Sequence, residues 1–156
     1  MELKLIELTH KQDVCKAYEI YKHCMFMPNE EKFNKKTDTF LMDNSVKIFA
    51  CFNLAKMVGV IVFSFLNQSN IEIIGIAVEL SARGKGIGSY MINQIVKEYD
   101  LISVYAETDN DAVGFYQKNG FSVTEFSEIY DGETVIRYKC ELTQFQIGRT
   151  VRKIRI

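Results

Sequence analysis

The sequence predicts an α+β fold in one domain, with a mixed and mostly antiparallel sheet flanked by helices. Three consecutive segments rich in β-branched and aromatic residues are joined by short turns, and short turns force neighbouring strands to run antiparallel. A strand, a helix and a second strand follow between residues 71 and 108, an order that requires one parallel pairing. The 156 residues suffice for one domain with a sizeable core.

The N-terminal part of the chain predicts one strand and two helices. The strand is expected at residues 4–8, and Thr9 with Gln12 resembles a capping box that starts a helix. Apolar residues at helical spacing extend this helix toward Pro28, which ends it because the residue before a proline avoids the helical region. Asn29 is the expected cap of the second helix. The apolar residues expected on its buried face are Phe33, Phe40 and Leu41.

The remaining strands are recognised by β-branched and aromatic residues between turn signals. They are predicted at residues 46–52, 57–66, 71–78, 102–108, 121–126 and 134–142. Helices are predicted at residues 85–98 and 111–119, the second capped by Asn110 and followed by Gly120. The residues expected on the buried face of the first of these helices are Ile87, Met91, Ile95 and Val96.

Charge separates the end of the chain from the rest. The net charge is −1, but the last eight residues hold four basic side chains, which leave 15 basic against 20 acidic residues in residues 1–148. An acidic body argues against nucleic acid as the main partner and is compatible with a cationic substrate. We therefore divide the chain into a domain at residues 1–142 and a basic tail at residues 143–156. The tail is expected to be disordered or to form an edge strand or a homodimer contact.

Targeting and metal signals are weak in this sequence. No apolar run approaches the ~20 residues of a membrane span, and the first residues lack the pattern of a signal peptide. We therefore expect a cytoplasmic protein without a membrane partner. The four cysteines form no CxxC pair and only two histidines accompany them, so reduced thiols are expected and a metal site is not.

Glycine and positive charge are concentrated at residues 83–88, in the run RGKGIG. The run lies between the strand that ends near Val78 and the helix that starts near Lys85. The first amides of a helix have no internal partners, the helix dipole adds partial positive charge there, and glycine lets a bulky anion approach the backbone. Because Arg83 and Lys85 add full charges, the segment predicts a phosphate or pyrophosphate site.

The glycine-rich segment has three other interpretations. The first is a purely structural turn between strand and helix, with two solvated cations. A Walker-type nucleotide site needs GxxxxGK followed by Ser or Thr, which the chain lacks. A dinucleotide site needs glycine where Ser89 stands, and it needs alternating strands and helices where three strands precede the segment.

The segment also resembles a motif of the GNAT superfamily of N-acetyltransferases. That motif has arginine or glutamine, glycine three residues later, and glycine or alanine after two more, which Arg83, Gly86 and Gly88 match. Downstream, TDNDAVGFYQKNGF at residues 108–121 resembles the second signature of the superfamily, with an Asn, an Ala, a Phe–Tyr pair and a Gly–Phe at matching spacing. The order of predicted elements is similar across residues 1–142.

The resemblance implies acetyl-CoA as co-substrate, bound in a cleft where the parallel strands at residues 71–78 and 102–108 splay apart. The pantetheine arm would bond to the backbone near Ile76 and Val78, rather like an added strand. Ala77 would leave room for it, although Ala77 and Val78 also suit an ordinary buried strand. The residues implied to hold the pyrophosphate are Arg83, Gly84, Lys85, Gly86, Ile87, Gly88 and Ser89.

The resemblance further implies direct transfer of the acetyl group to an amine. The protonated amine must lose a proton before it attacks, and the leaving thiolate must gain one. Tyr116 matches the family tyrosine that points at the CoA sulfur and is the candidate acid, with simple packing as the alternative. Glu72, six residues before Val78, resembles the glutamate base of histone-type members, with a water relay as the alternative. Phe115 and Asn110 are expected to contact the cofactor or to position the short helix.

The acceptor stays open at this point. A small-molecule amine, an aminoglycoside, a polyamine and a protein amine are all compatible with the sequence. Four acidic residues near the closing hairpin could hold a cationic amine or form a solvated charged turn; they are Glu125, Glu128, Asp131 and Glu133. The alternative function is a non-catalytic acyl-CoA-binding sensor or interaction module on the same fold, which Tyr116 disfavours because a pure binder needs no acid.

Overall fold

The computed structural model describes residues 1–143, and the predicted basic tail from residue 144 onward lies outside the described residues. The strands are β1 (Leu3–Glu7), β2 (Val46–Asn53), β3 (Lys56–Phe65), β4 (Asn70–Val78), β5 (Ser103–Thr108), β6 (Ser122–Tyr130) and β7 (Glu133–Thr143). The helices are α1 (Lys11–Cys15), α2 (Tyr18–Tyr21), α3 (Glu30–Met42), α4 (Ile87–Tyr99) and α5 (Val113–Lys118). Within the described residues, no helix is long and apolar enough to cross a membrane.

The strands of the described chain form one sheet in the order β1-β2-β3-β4-β5-β7-β6. The pairs β1–β2, β2–β3, β5–β7 and β6–β7 are antiparallel. The parallel pair is β4–β5. The residues at the start of β4 are hydrogen-bonded to those at the start of β5. There the Ile102 amide donates to the Ser69 carbonyl at 2.7 Å and the Ser103 hydroxyl donates to Asn70 Oδ1 at 2.5 Å. The predicted α+β class with a mixed, mostly antiparallel sheet is confirmed.

The described chain divides into two compact units, and unit 1 comprises Met1–Phe65 and Ile73–Glu98. Its helices α1, α2 and α3 cover one face of its strands. The ring of Tyr21 on α2 packs against that of Phe33 on α3, with centroids 5.7 Å apart. Other buried members of this cluster are Leu8, Val14, Ala17, Ile20, Ile48, Ala50, Val60, Val62 and Ala77.

The opposite face of β3 is covered by α4. Successive strand side chains point to opposite faces, so Gly59 faces away from the cluster that contains Val60. A Cβ at Gly59 would stand 3.0 Å from Met91 Cε and 3.3 Å from Ile87 Cγ2, which shows how closely α4 approaches. The predicted buried face of α4 is confirmed, because the exposed fraction is 7% or less for Ile87, Met91, Ile95 and Val96.

The two predicted helix starts in the first 30 residues have different outcomes. Asn29 caps α3 as predicted, since its side chain accepts a hydrogen bond from the Lys32 amide at 2.8 Å. The predicted capping box at Thr9 is wrong. The Thr9 hydroxyl lies 3.0 Å from Nδ1 of His10, the residue that precedes α1, and no side chain caps that helix.

The predicted single helix before Pro28 is also wrong, because it is broken into α1, α2 and a short 3₁₀ turn. After α1 the Lys16 amide bonds to the Asp13 carbonyl at 3.2 Å and the Ala17 amide bonds to the Val14 carbonyl at 2.9 Å. These bonds span three residues instead of four, which tightens the chain and ends the helix. Apolar spacing did not reveal the break, because both short helices bury the same side of the chain.

Unit 2 comprises Leu66–Glu72 and the described chain from Tyr99 onward. In it, β7 pairs with β5 on one side and with β6 on the other. The β6–β7 turn holds Asp131 and Gly132 at φ values of 55° and 81°, the positive values that a tight hairpin turn requires. Pairing therefore continues up to the turn, and β6 extends to Tyr130 instead of ending at residue 126 as predicted.

Thr37 provides a test of the packing between α3 and the sheet. The residue is completely buried, and within the described structure its hydroxyl has no hydrogen-bond partner. Because an unpaired buried hydroxyl is costly, we predict that Thr37→Val raises the free energy of unfolding by about 1 kcal/mol. Thr39→Val is the matched control, since that hydroxyl on the same helix donates to the Lys35 carbonyl at 3.1 Å. Urea denaturation that shows a loss for Thr37→Val, or equal gains for both variants, would contradict this packing.

Candidate functional site

The two faces of β4 differ in burial in the way that strand alternation predicts. Ile73, Gly75 and Ala77 are buried, whereas Glu72 and Ile76 are partly accessible on the other face. The last strand residue, Val78, lies on the same accessible face. The structure therefore brings the predicted base and the predicted pantetheine-binding positions onto one face of a single strand.

The buried face of β4 rests on α2. The exposed fraction of Ala77 is 6% and its methyl group packs in the core cluster, so only its backbone is available to a cofactor. At Gly75 a Cβ would collide with the ring and hydroxyl of Tyr21. The strand can therefore lie this close to α2 only because residue 75 has no side chain.

The thiol of Cys24 lies beside this contact between α2 and β4. Its sulfur donates to the Tyr21 carbonyl at 3.2 Å. Although the residue as a whole is exposed, burial of the thiol raises the pKa of Cys24 to about 11. Burial likewise raises the pKa of the Tyr21 phenol above its ordinary value. Both groups therefore stay protonated at neutral pH.

A turn stabilised by Glu79 connects β4 to the glycine-rich segment. The Glu79 carboxylate accepts hydrogen bonds from the hydroxyl of Ser81 and, at 3.1 Å, from its amide. These bonds lower the pKa of Glu79, and the positive charges of Lys56 and Lys85 lower it further. Next along the chain, Arg83 Nε donates to the Val78 carbonyl at 3.1 Å. The guanidinium of Arg83 is thus bonded to the end of β4.

The glycine-rich segment adopts a conformation that requires glycine at two positions. Gly84 and Gly86 have φ values of 77° and 80°, in the left-handed region. A Cβ at either position would meet no atom within 4 Å, so the space beside them is open. The loop is therefore accessible to a ligand, and its backbone conformation explains the predicted glycines without any steric contact.

The loop leads directly into the first turn of α4. The Tyr90 amide donates to the Gly86 carbonyl at 2.9 Å, which is the first bond of the helix. The amides of the first helical turn have no intrahelical partners. Ile87 and Gly88 are buried, and the Ile87 side chain lies against Gly59 of β3, whereas Arg83 and Lys85 are exposed. Open backbone, exposed cations and a helix N-terminus together fit a bound phosphate or pyrophosphate.

The other predicted site residues belong to unit 2. Tyr116 on α5 has an exposed fraction of 5%. Its ring makes edge contacts with Phe115 and Phe121, at centroid distances of 5.2 and 5.1 Å. The ring is therefore held in one orientation by aromatic packing, and the role of its hydroxyl stays a prediction.

The chain enters α5 differently from the prediction. The predicted cap at Asn110 is wrong, because the Asp109 carboxylate accepts instead from the amides of Asp111 and Ala112 at 3.0 and 3.1 Å. Asn110 Oδ1 accepts from the Tyr138 hydroxyl at 3.2 Å. Both residue types suit such a turn, so the sequence alone did not distinguish them. After the helix, Gly120 has a φ of 86°, which confirms its predicted place beyond the helix end.

The four acidic residues of the closing hairpin are all exposed; they are Glu125, Glu128, Asp131 and Glu133. Glu128 lies 3.6 Å from Arg137 Nε on the neighbouring strand. Exposed carboxylates are compatible with both predicted alternatives, so a role in holding a cationic amine stays a prediction. Within residues 1–143, no group of three or more His, Cys, Asp or Glu side chains is arranged to hold a metal ion.

Sequence reasoning did not anticipate the contacts made by Lys56, Glu79 and Tyr21. A local signal existed for Glu79, since a carboxylate two residues before Ser81 can bond to its amide and hydroxyl. Lys56 and Tyr21 act on residues far along the chain, and no local pattern points to such contacts.

Comparison with known proteins identifies the class of protein to which this fold and this loop belong. Residues 14–121 match the acetyltransferase (GNAT) family. Since the match covers more than half of the chain, the protein belongs to this family. Among curated proteins, no match was found.

Solved structures of low sequence identity share the fold. A mutant of spermidine N-acetyltransferase from Vibrio cholerae has a TM-score of 0.71 and 14% identity, over 93% of this chain and 95% of that chain. The ribosomal-protein-S18-alanine N-acetyltransferase from Escherichia coli has a TM-score of 0.68 and 15% identity, over 91% and 94%. An acetyltransferase of the same family from Elizabethkingia anophelis, with acetyl-CoA bound, has a TM-score of 0.66 and 18% identity, over 90% and 97%.

Gly75 offers a test of how closely α2 packs on β4. We predict that Gly75→Ala lowers the free energy of unfolding by about 1–3 kcal/mol, because the new methyl group collides with the buried Tyr21 ring. Gly114→Ala is the control, since nothing lies within 4 Å of a Cβ there and alanine is favoured over glycine in a helix. If thermal or urea unfolding left Gly75→Ala as stable as the parent, the close contact between Tyr21 and β4 would be refuted.

Proposed function

We propose that the protein is a cytoplasmic N-acetyltransferase that moves the acetyl group of acetyl-CoA directly to an amine. The observation that carries this proposal is the open loop with Gly84 and Gly86 at positive φ, flanked by exposed cations and by the start of α4. Membership of the acetyltransferase family supports acetyl transfer in general. The four cysteines are all free thiols, which suits a reducing compartment.

The residues around the loop fit the phosphates of CoA. Arg83 and Lys85 supply positive charge, and the amides from Gly84 to Ser89 supply backbone donors. The end of β4 would bind the pantetheine arm through the backbone of Ile76 and Val78, as strand addition does elsewhere. Ile74 on the same face is 43% exposed, so apolar surface is available to that arm.

The chemistry requires two proton transfers. Acetyl-CoA supplies an activated thioester, and the acceptor amine must be neutral to attack its carbonyl carbon. We assign Glu72 to take the amine proton, directly or through water, and Tyr116 to protonate the leaving thiolate. Asn110 and Phe115 would position the helix that carries Tyr116.

The acceptor is proposed only as a class, a primary amine on a small molecule or a protein. Both kinds occur in the names of the structural neighbours, which include a spermidine and a ribosomal-protein N-acetyltransferase. At identities of 14% and 15%, these neighbours support a shared fold but do not identify the acceptor. A panel that contains polyamines, aminoglycosides, other small amines and peptides with α-amino or lysine amines is therefore needed.

The proposal is tested first by ligand binding and then by turnover. Acetyl-CoA is expected to raise the melting temperature in proportion to the logarithm of its concentration above Kd. CoA release should then depend on one acceptor of the panel. Absence of stabilisation at millimolar acetyl-CoA would contradict the proposal.

Tyr116→Phe separates an enzyme from a non-catalytic acyl-CoA-binding module. We predict a fall in kcat of about a hundredfold or more with little change in acetyl-CoA affinity, because the phenol acts only on the leaving group. The aromatic contacts to Phe115 and Phe121 survive the substitution, so folding should be intact. Tyr18→Phe is the control, since that ring packs on Phe33 in unit 1. Unchanged turnover would remove Tyr116 from the mechanism.

Glu72→Gln tests the assigned base. We predict a loss of about ten- to a hundredfold in kcat/KM at neutral pH, and a smaller loss at high pH where more acceptor is already deprotonated. Glu107→Gln, an exposed carboxylate on β5, serves as the control. An equal loss at all pH values, or no loss, would argue for a water relay without this carboxylate.

A further inference from the structure

Lys56 is a further cation close to the turn that leads into the glycine-rich loop. It is the first residue of β3, and its Nζ lies 4.0 Å from the Glu79 carboxylate, just beyond the end of β4. The Glu79 amide in turn donates to the Val58 carbonyl at 2.9 Å. The start of β3 is therefore fixed beside the turn that leads into the loop.

The start of α4 lies over the same end of β3. Gly59 is close enough to Ile87 and Met91 that a Cβ would crowd both side chains. Lys56 is three residues from Gly59 toward the start of the strand, which is about 10 Å at ~3.3 Å per residue. Lys56 therefore lies beside the Glu79 turn, about 10 Å along β3 from the glycine that the start of α4 contacts.

Two lysines act on one carboxylate beside the loop. Glu79 lies 4.0 Å from Lys56 Nζ, and the charges of Lys56 and Lys85 both lower its pKa. Its carboxylate also accepts two hydrogen bonds from Ser81. Two lysines beside one carboxylate carry a net positive charge, which suits a ligand with more than one phosphate.

The ion pair between Lys56 and Glu79 can be replaced by a contact with a ligand at little cost in free energy. The side chains are 67% and 29% exposed, and an ion pair at 4.0 Å with such exposure contributes little to stability. Lysine acts on phosphate as a mobile point charge and needs no fixed geometry. Arg83, in contrast, is already bonded through Nε to the Val78 carbonyl.

We propose that Lys56 binds the ribose 3′-phosphate of CoA, while the loop binds the pyrophosphate, so that the protein discriminates CoA from dephospho-CoA. Glu79 holds Lys56 near this position in the absence of ligand. The inference rests on the proposed function, because it assumes that CoA occupies the loop. It adds a residue from a hairpin 27 positions before the glycine-rich segment and assigns it to one phosphate group of the ligand.

The test compares two ligands that differ only in the 3′-phosphate. Calorimetric titration of the full chain is expected to give tighter binding of CoA than of dephospho-CoA. Lys56→Ala should weaken CoA binding about three- to tenfold and leave dephospho-CoA binding within about twofold, because only one charge-assisted contact is lost. Lys16→Ala is the matched control, since Lys16 has the same exposure of 67% and an acidic partner, Asp13, at 3.5 Å.

The other outcomes overturn the inference in distinguishable ways. Equal weakening of both ligands by Lys56→Ala would assign the lysine to the pyrophosphate. No change for either ligand, with the parent binding CoA, would remove Lys56 from the site and leave the proposed function intact. A parent protein that binds neither ligand would refute the inference and the proposed function together.

Discussion

The path of the chain from β4 to α4 depends on two glycines in the left-handed region. Gly84 and Gly86 allow the backbone to turn between an ordered strand end and an ordered helix start without a side chain above either residue. That turn leaves backbone amides, Arg83 and Lys85 open to the surface. If either glycine carried a Cβ, its conformation would be strained and the loop would rearrange.

Packing in unit 1 holds both ends of this loop. On one face, the missing side chain of Gly75 lets β4 lie on the buried ring of Tyr21, and on the other the missing side chain of Gly59 lets α4 approach β3. Between them Glu79 is bonded to Ser81, which orders the turn that follows the strand. Glycine thus has two uses in this unit. It allows a helix to pack closely on a strand at Gly59 and Gly75, and it allows the backbone to reverse at Gly84 and Gly86.

A feature could be predicted from the sequence when the residues that produce it are close together along the chain. Alternation along β4, the buried face of α4 and the cap at Asn29 were predictable because each depends on residues within a few positions. The predicted caps at Thr9 and Asn110 were wrong because neighbouring polar residues compete for the same amides or bind one another. These errors moved helix ends but left the order of elements unchanged.

Contacts across long stretches of sequence were not predictable from the residues concerned. Tyr21 meets Gly75, and Lys56 meets Glu79, only after the strands have paired. A polar or aromatic residue in either position suits many surroundings, so its type does not identify its partner. The loop motif could be recognised beforehand because its glycines and cations are contiguous, whereas its supporting contacts required the fold.

The proposed binding of phosphate by the amides of the loop and of the first turn of α4 underlies every other assignment at the site. The direct measurement is an NMR titration of the ¹⁵N-labelled protein with CoA and, separately, with pantetheine, which lacks the phosphates. We predict large shifts of the amide resonances of Gly84, Gly86 and Gly88 with CoA and small ones with pantetheine. Unchanged resonances with saturating CoA, or equal shifts with both ligands, would contradict phosphate binding by these amides.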